Sequence, residues 1–209
     1  MNVLVIAPHP DDESIGCGGA ISLHVQRHDR VSAVFLTSGE LGLKRLAREE
    51  AWKIREAEAR KAGKILRVAE LFFLRCPDWF LGKNKSQTAR LLAPVLKQVR
   101  PELVYLPHPN EWHPDHQATL PILKTALKQS GLKIPWLRAY EVWTPLSQYD
   151  DVEDITSVMS RKLRAVRAHR SQVNDFKYDR AIAGLNQYRG EMATKTRYAE
   201  VFQTLTIRK

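Results

Sequence analysis

Val3-Leu4-Val5-Ile6-Ala7-Pro8-His9-Pro10-Asp11-Asp12-Glu13 is the stretch that decides the fold. Its first five residues are apolar without interruption and stop at a proline. A run this short and continuous reads as a strand buried on both faces, the strand type of a parallel sheet. The residues after it are as informative. Four ionisable side chains, His9, Asp11, Asp12 and Glu13, fall within five residues, in a turn stiffened by Pro8 and Pro10.

Working outward, the pattern repeats. A glycine-rich turn at Gly16, Gly18 and Gly19 leads into a helix to about His28. A second strand is expected over 31–37 and a long charged helix from Lys44 to about Arg67. Leu71-Phe72-Phe73-Leu74 is the third strand, and Ser86 to Arg100 a helix kinked at Pro94. Leu103 to Leu106 is the fourth strand, Pro114 to Gln129 a helix, and Trp136 to Trp143 the fifth strand. Helices follow at about Ser157–His169 and Tyr178–Tyr198, with a final edge strand from Val201 to Ile207. Strand–helix alternation of this kind predicts an α/β fold: one mainly parallel sheet with helices on both faces. In such folds ligands bind beyond the carboxyl ends of the strands. The turn after Ile6 is therefore where chemistry is expected.

Composition bounds the alternatives. The chain has 209 residues, which suits one domain spanning 1–209. No apolar run approaches the roughly 20 residues of a membrane span, and the N-terminus lacks the pattern of a signal peptide. A soluble, cytoplasmic protein with no membrane anchor is expected. Cys17 and Cys76 are the two cysteines, with no CxxC pair, so a cysteine-based zinc site is excluded. Both read as small buried hydrophobes, although the Cys17 thiol is close enough to the first motif to line its pocket. The net charge of +10 raises the question of nucleic acid. The basic residues form no block of five or six, so a solvated basic surface or an attraction for small anions is preferred.

A second motif, His113-Pro114-Asp115-His116, comes after the fourth strand. Proline suits the first helical position, which makes His113 the N-cap and places His116 in the first turn. The positive end of a helix disfavours imidazolium, and neutral imidazole is the form that binds a metal. If the first and fourth strands are neighbours, the two loops converge. Two histidines and one carboxylate then hold a divalent cation and leave it a position open for water. This donor set suits catalytic zinc, and non-haem Fe(II) uses similar ligands. The residues alone leave open which of Asp11, Asp12 and Glu13 is the ligand.

H-P-D-D-E before a Gly-Gly pair, with H-P-D-H downstream, resembles the LmbE-like family, which includes N-acetylglucosaminyl-phosphatidylinositol de-N-acetylase and the mycothiol and bacillithiol pathway deacetylases. The likeness extends to Thr37-Ser38-Gly39-Glu40, Arg55-Glu56, 74–78, 140–145 and His169-Arg170-Ser171-Gln172. It implies a Rossmann-like fold and a zinc-dependent N-deacetylase acting on a small-molecule N-acetylated sugar, with homo-oligomers common. It also implies His9, Asp12 and His116 as metal ligands and Asp11 as general base. His113 would stabilise the tetrahedral intermediate or protonate the leaving group, oriented by Asp115. Arg55, Asp78 and Glu40 are the substrate contacts to test. For Arg55 and Glu56 the plain alternative is a solvated helix face, and for Ser38 and Glu40 an ordinary turn. His24 and His28 read as solvated, and His169 as a cap or a substrate contact. Trp79, Phe80 and Trp112 read as a sugar platform or as core.

Overall fold

A computed structural model describes residues 1–206. Seven strands form one sheet in the order β3-β2-β1-β4-β5-β7-β6. The first five are β1 (Asn2–Ala7), β2 (Arg30–Thr37), β3 (Glu70–Cys76), β4 (Leu103–Pro107) and β5 (Trp136–Tyr140), all mutually parallel. β7 (Ala199–Leu205) runs antiparallel both to β5 and to β6 (Asp151–Asp154).

The continuous apolar run of β1 serves two cores. Leu4 and Ile6 face α3 (Lys85–Val99) and α4 (Pro114–Ser130), packing with Leu92, Leu96, Ile122 and Leu123. Val3, Val5 and Ala7 face the opposite layer, α1 (Asp12–Gln26), α2 (Arg48–Leu66) and α5 (Met159–Ala168), packing with Ile21, Ala59, Leu66 and Ala165. The period of two places alternate residues on opposite faces. No polar residue fits in the run because both faces are covered. Two further helices, α6 (Arg170–Val173) and α7 (Tyr178–Arg189), come after α5.

Four expectations are corrected. The three glycines lie inside α1, which starts at Asp12 and changes direction at Cys17, whose φ of −141° is not helical. β5 stops at Tyr140 because the N–H groups of Val142, Trp143 and Thr144 donate to the Glu111 carboxylate and not to a ladder. The last helix ends at Arg189; a π turn over Gly190–Thr194 leads the chain back into β7. That strand is internal, not an edge. The edge is β6, Asp-Val-Glu-Asp, whose composition is poor in strand formers. Ile207, expected in the last strand, lies outside the described residues. Among the described residues, no helix is long and apolar enough to cross a membrane.

Candidate active site

β1 lies between β2 and β4, so the chain leaves β1 in one direction and returns to β4 on the other side. This is the switch point of a doubly wound sheet, where loops on neighbouring strands part and leave a crevice. Val3 pairs with Leu103 and Val5 with Tyr105, which brings the loops after Ala7 and Pro107 to the same end.

There, three donor atoms form a nearly equilateral triangle. His9 Nδ1 is 3.3 Å from Asp12 Oδ2, Asp12 Oδ2 is 3.2 Å from His116 Nε2, and His116 Nε2 is 3.3 Å from His9 Nδ1. Tetrahedral zinc with bonds of about 2.0–2.1 Å needs donor separations of roughly 3.3 Å, so the triangle fits such an ion. All three residues are buried. His9 also belongs to a wider group with His113 and His116 and to another with Asp78 and Asp115. Its second nitrogen, Nε2, sits 3.1 Å from Asp78 Oδ1 and 3.3 Å from Asp115 Oδ2. A proton on Nε2 leaves Nδ1 free to bind, the carboxylate–histidine arrangement that fixes a metal-binding tautomer. Burial alone lowers the His9 pKa, but Asp115, Asp12 and Asp78 overcome it and hold the ring well above the ordinary value. Burial raises the Asp12 carboxyl, and His116 and His9 outweigh it and hold Asp12 well below the carboxylate range. The carboxylates concentrate a demand for positive charge at this point.

Asp11 stands beside the triangle with φ at 143°, a conformation that strains a residue with a Cβ. It is over-determined by its neighbours. Its N–H donates to Glu13 Oε2 at 3.1 Å, and its Oδ2 accepts from Arg55 Nη2 at 3.0 Å. Arg55 also donates to Pro10 O and Gly39 O. Gly39 has φ of 61°, and a Cβ there would lie 2.0 Å from Arg55 Nη1, so only glycine makes this seat. Burial pushes the Asp11 carboxyl up to about 6, against the pull of Arg55.

His113 caps α4 as expected: its Nδ1 accepts the Asp115 N–H at 3.2 Å. The ring's proton is therefore on Nε2, a donor. Burial, with His9 and His116 adding to it, lowers the His113 pKa to about 4, so the ring is neutral.

A family model described as GlcNAc-PI de-N-acetylase matches residues 4–127, a span carrying both motifs, the three donors of the triangle, Asp11 and Arg55. The chain belongs to the PIG-L family. It is 31% identical to diacetylchitobiose deacetylase of Thermococcus kodakarensis, over 81% of this chain and 69% of that one. Among solved structures it is similar to N,N'-diacetylchitobiose deacetylase of Pyrococcus horikoshii, with a TM-score of 0.85, 27% identity and coverage of 97% and 83%. It is also similar to GalB of Pseudomonas putida, a 4-carboxy-2-hydroxymuconate hydratase, with a TM-score of 0.82, 26% identity and coverage of 100% and 98%.

Around the PIG-L motifs, several expected contacts fall elsewhere. The Asp115 carboxylate does not touch the His113 ring; it accepts the N–H groups of Trp79 and Leu81 and faces His9. Only its backbone orients His113. Asp78 lines the cleft, yet its carboxylate supports His9 and accepts the Leu41 N–H. Glu40 is buried behind Asp78 and accepts its N–H, outside the cleft lining. Arg55 and Glu56 are buried, not solvated; Glu56 accepts from Ser38 and pairs with Arg75. His24 is buried too, bonded to Asp29 and Tyr105 at the far end of β1 and β4. The Cys17 thiol lies in the core and does not line the cleft. His169 is the expected cap, closing α5 with its N–H on Val166 O, and its ring pairs with Glu13 at 3.1 Å outside the cleft lining.

The cleft over the triangle measures about 320 Å³ and is walled by Trp79, Trp112, Trp143, Phe176 and Tyr178. Trp79 and Trp112 line the cleft and are exposed rather than core; Phe80 turns away, under Lys83. Trp143 follows β5 within the stretch 140–145, while Phe176 from the loop before α7 and Tyr178 at the start of that helix belong to no recognised motif. Glu111 was missed as well. It is 0% exposed, and its clamp on 142–144 sets Trp143 beside Trp112, whose N–H donates to Thr144 Oγ1. A carboxylate three residues from His108 in a loop carried no pattern by which to find it.

Proposed function

We propose that this chain is a zinc-dependent N-deacetylase that hydrolyses the acetamide of an N-acetylglucosamine-type conjugate to acetate and a free amine. The observation that carries the proposal is the His9–Asp12–His116 triangle with a strained, buried carboxylate, Asp11, beside it. His9, Asp12 and His116 would hold the cation, which when bound supplies a Lewis acid next to the open side of the triangle. Two nitrogens and one carboxylate suit zinc, with Fe(II) the nearest substitute.

The chain's own residues supply the rest. Asp11 takes the proton of the attacking water at its carboxylate, with Arg55 and the Glu13 carboxylate fixing its position. His113 donates from Nε2 toward the oxygen that gains charge as the carbonyl carbon becomes tetrahedral. The proton held at Asp11 is then available to the departing amine. Trp79 and Trp112 flank this point with apolar faces suited to a sugar ring.

Acetate release from a panel of N-acetylglucosamine conjugates, with and without added zinc, tests the proposal. Asp11→Asn is expected to retain metal and lose turnover by several orders of magnitude. His116→Ala is expected to lose metal affinity. Near-wild-type turnover in the first variant, or full occupancy in the second, removes the assigned role. Water addition to an unsaturated acid without acetate release would place the chain with the hydratase of the same fold.

A further inference from the structure

Beside the catalytic cleft lies a second cavity of about 310 Å³, lined by Ile15, Val142, Ala181 and Ile182 with a rim at Lys177. The two cavities share one wall, made of Trp143, Phe176 and Tyr178. Trp143 meets Tyr178 edge-on at 5.3 Å and Phe176 edge-on at 6.3 Å, while Phe176 and Tyr178 stack at 5.6 Å. Phe176 is 60% exposed and Trp143 37%, large apolar surfaces left open where the two cavities meet. Exposed aromatics gathered at one place mark a binding surface more than a monomer's ordinary surface.

The lining of the second cavity is apolar except at its rim. Its single ionised lining residue, Lys177, donates to the carbonyls of Val173 and Asn174. The chemistry it can recognise is therefore apolar. The shared wall makes it the immediate neighbour of the catalytic cleft.

We propose that this compartment binds an apolar aglycone, an alkyl or aryl group attached to the N-acetylated sugar, which crosses the Trp143–Phe176–Tyr178 wall while the acetamide sits over the His9–Asp12–His116 triangle. The proposal rests on the deacetylase reading for the position of the sugar; its test reads binding as well as turnover.

Ala181 lies on the exposed side of α7 and outside the catalytic cleft, so a larger side chain there fills the compartment without disturbing the core. Calorimetric titration with methyl and hexyl N-acetyl-β-D-glucosaminides, the latter below its micellar concentration, compares wild type with Ala181→Trp and Ala181→Asp. Each methylene removed from water is worth about fourfold in affinity, so even a partly covered chain gives about tenfold or more. The hexyl glycoside is expected to bind wild type at least about tenfold tighter than the methyl glycoside. Both variants are expected to reduce that gain to about twofold or less and to leave methyl affinity unchanged. Equal affinities in wild type, a gain that survives both substitutions, or no binding of the hexyl glycoside would each overturn the proposal. Acetate release from the methyl glycoside is followed in parallel. If it fails while the hexyl gain appears and disappears as stated, the compartment stands and the deacetylase chemistry falls.

Discussion

Lys162 and Glu200 form an ion pair in the core, and breaking it from either side should give unequal costs. Lys162 Nζ lies 2.6 Å from Glu200 Oε1, and each side chain is 1% exposed. The pair sits where α1 breaks at Cys17, which frees N–H groups in mid-helix. Glu200 accepts two of them, Gly19 N at 2.8 Å and Ala20 N at 2.7 Å, and so caps the second half of the helix from the other end of the chain. Removing one partner of a buried pair costs about 3–5 kcal/mol, because the survivor stays buried and uncompensated. Glu200→Gln should fall in that range: among the described residues the Lys162 ammonium bonds no other group, and the amide has one acceptor where two N–H groups converge. Lys162→Met should cost less, about 1–3 kcal/mol, since the carboxylate keeps both N–H donors and the favourable end of a helix. The double variant should cost less than the two singles added, by at least about 1 kcal/mol. Urea unfolding followed by the fluorescence of the five tryptophans, at unchanged slope, measures all three. A Glu200→Gln cost under about 1 kcal/mol, or a larger cost for Lys162→Met, would refute the assignment of the pair as a helix cap.

Asp78→Asn weakens the support on His9 Nε2. Zinc affinity in a chelator competition should fall toward the lower end of about 10–100-fold, because Asp115 remains, and an unchanged affinity would contradict the supporting role. Gly16→Ala places a Cβ 2.2 Å from Tyr140 Cδ2, on a ring that is 0% exposed and tied by its hydroxyl to Ile6 O. A loss of about 3 kcal/mol or more is expected by thermal unfolding, and a wild-type midpoint would mean that the ring can move. Burial holds His24 below its usual pKa, against the pull of Asp29. The unfolded chain then takes up the proton first, so this stability is present above about pH 6.5 and is lost as pH falls from there toward the folded-state pKa. The difference between wild type and His24→Gln should change by at most about 1.4 kcal/mol per pH unit over that interval, and a flat difference would show that His24 titrates normally.

The sheet and the meeting of the two motifs were legible for the same reason: both depend on short stretches read at one place in the chain. A continuous apolar run can only be a strand covered on both faces, and a histidine with two acids directly after it sits at the carboxyl end whatever the rest of the sheet does. The strand that failed, β6, is an edge of three acids and one valine, specified by its pairing with β7 and by Arg138 reaching Asp151 and Glu153, not by its own composition. The buried polar residues failed in the same way. His24 reads as solvated from the sequence, and Lys162 and Glu200 belong to no motif, because a charged side chain gives no sign of its partner when that partner is 81 or 38 residues distant.

That distinction also separates Asp11 from Asp12, which the motif alone left open. Asp12 opens α1, where its Oδ2 accepts the His9 N–H at 2.8 Å and faces both histidine rings. Asp11, one residue earlier, is turned by its positive φ toward Arg55, a residue on another helix. The two neighbouring carboxylates therefore receive different work, one at the triangle and one beside it. What divides them is a backbone angle held by Glu13, Arg55 and Gly39, whose meeting at Asp11 no single stretch of sequence shows. If this is right, Arg55→Met should leave zinc affinity near wild type, because Asp12, His9 and His116 keep their contacts, while turnover falls as Asp11 loses its anchor. Equal loss of metal and of turnover would mean that Arg55 holds the whole turn and not Asp11 in particular.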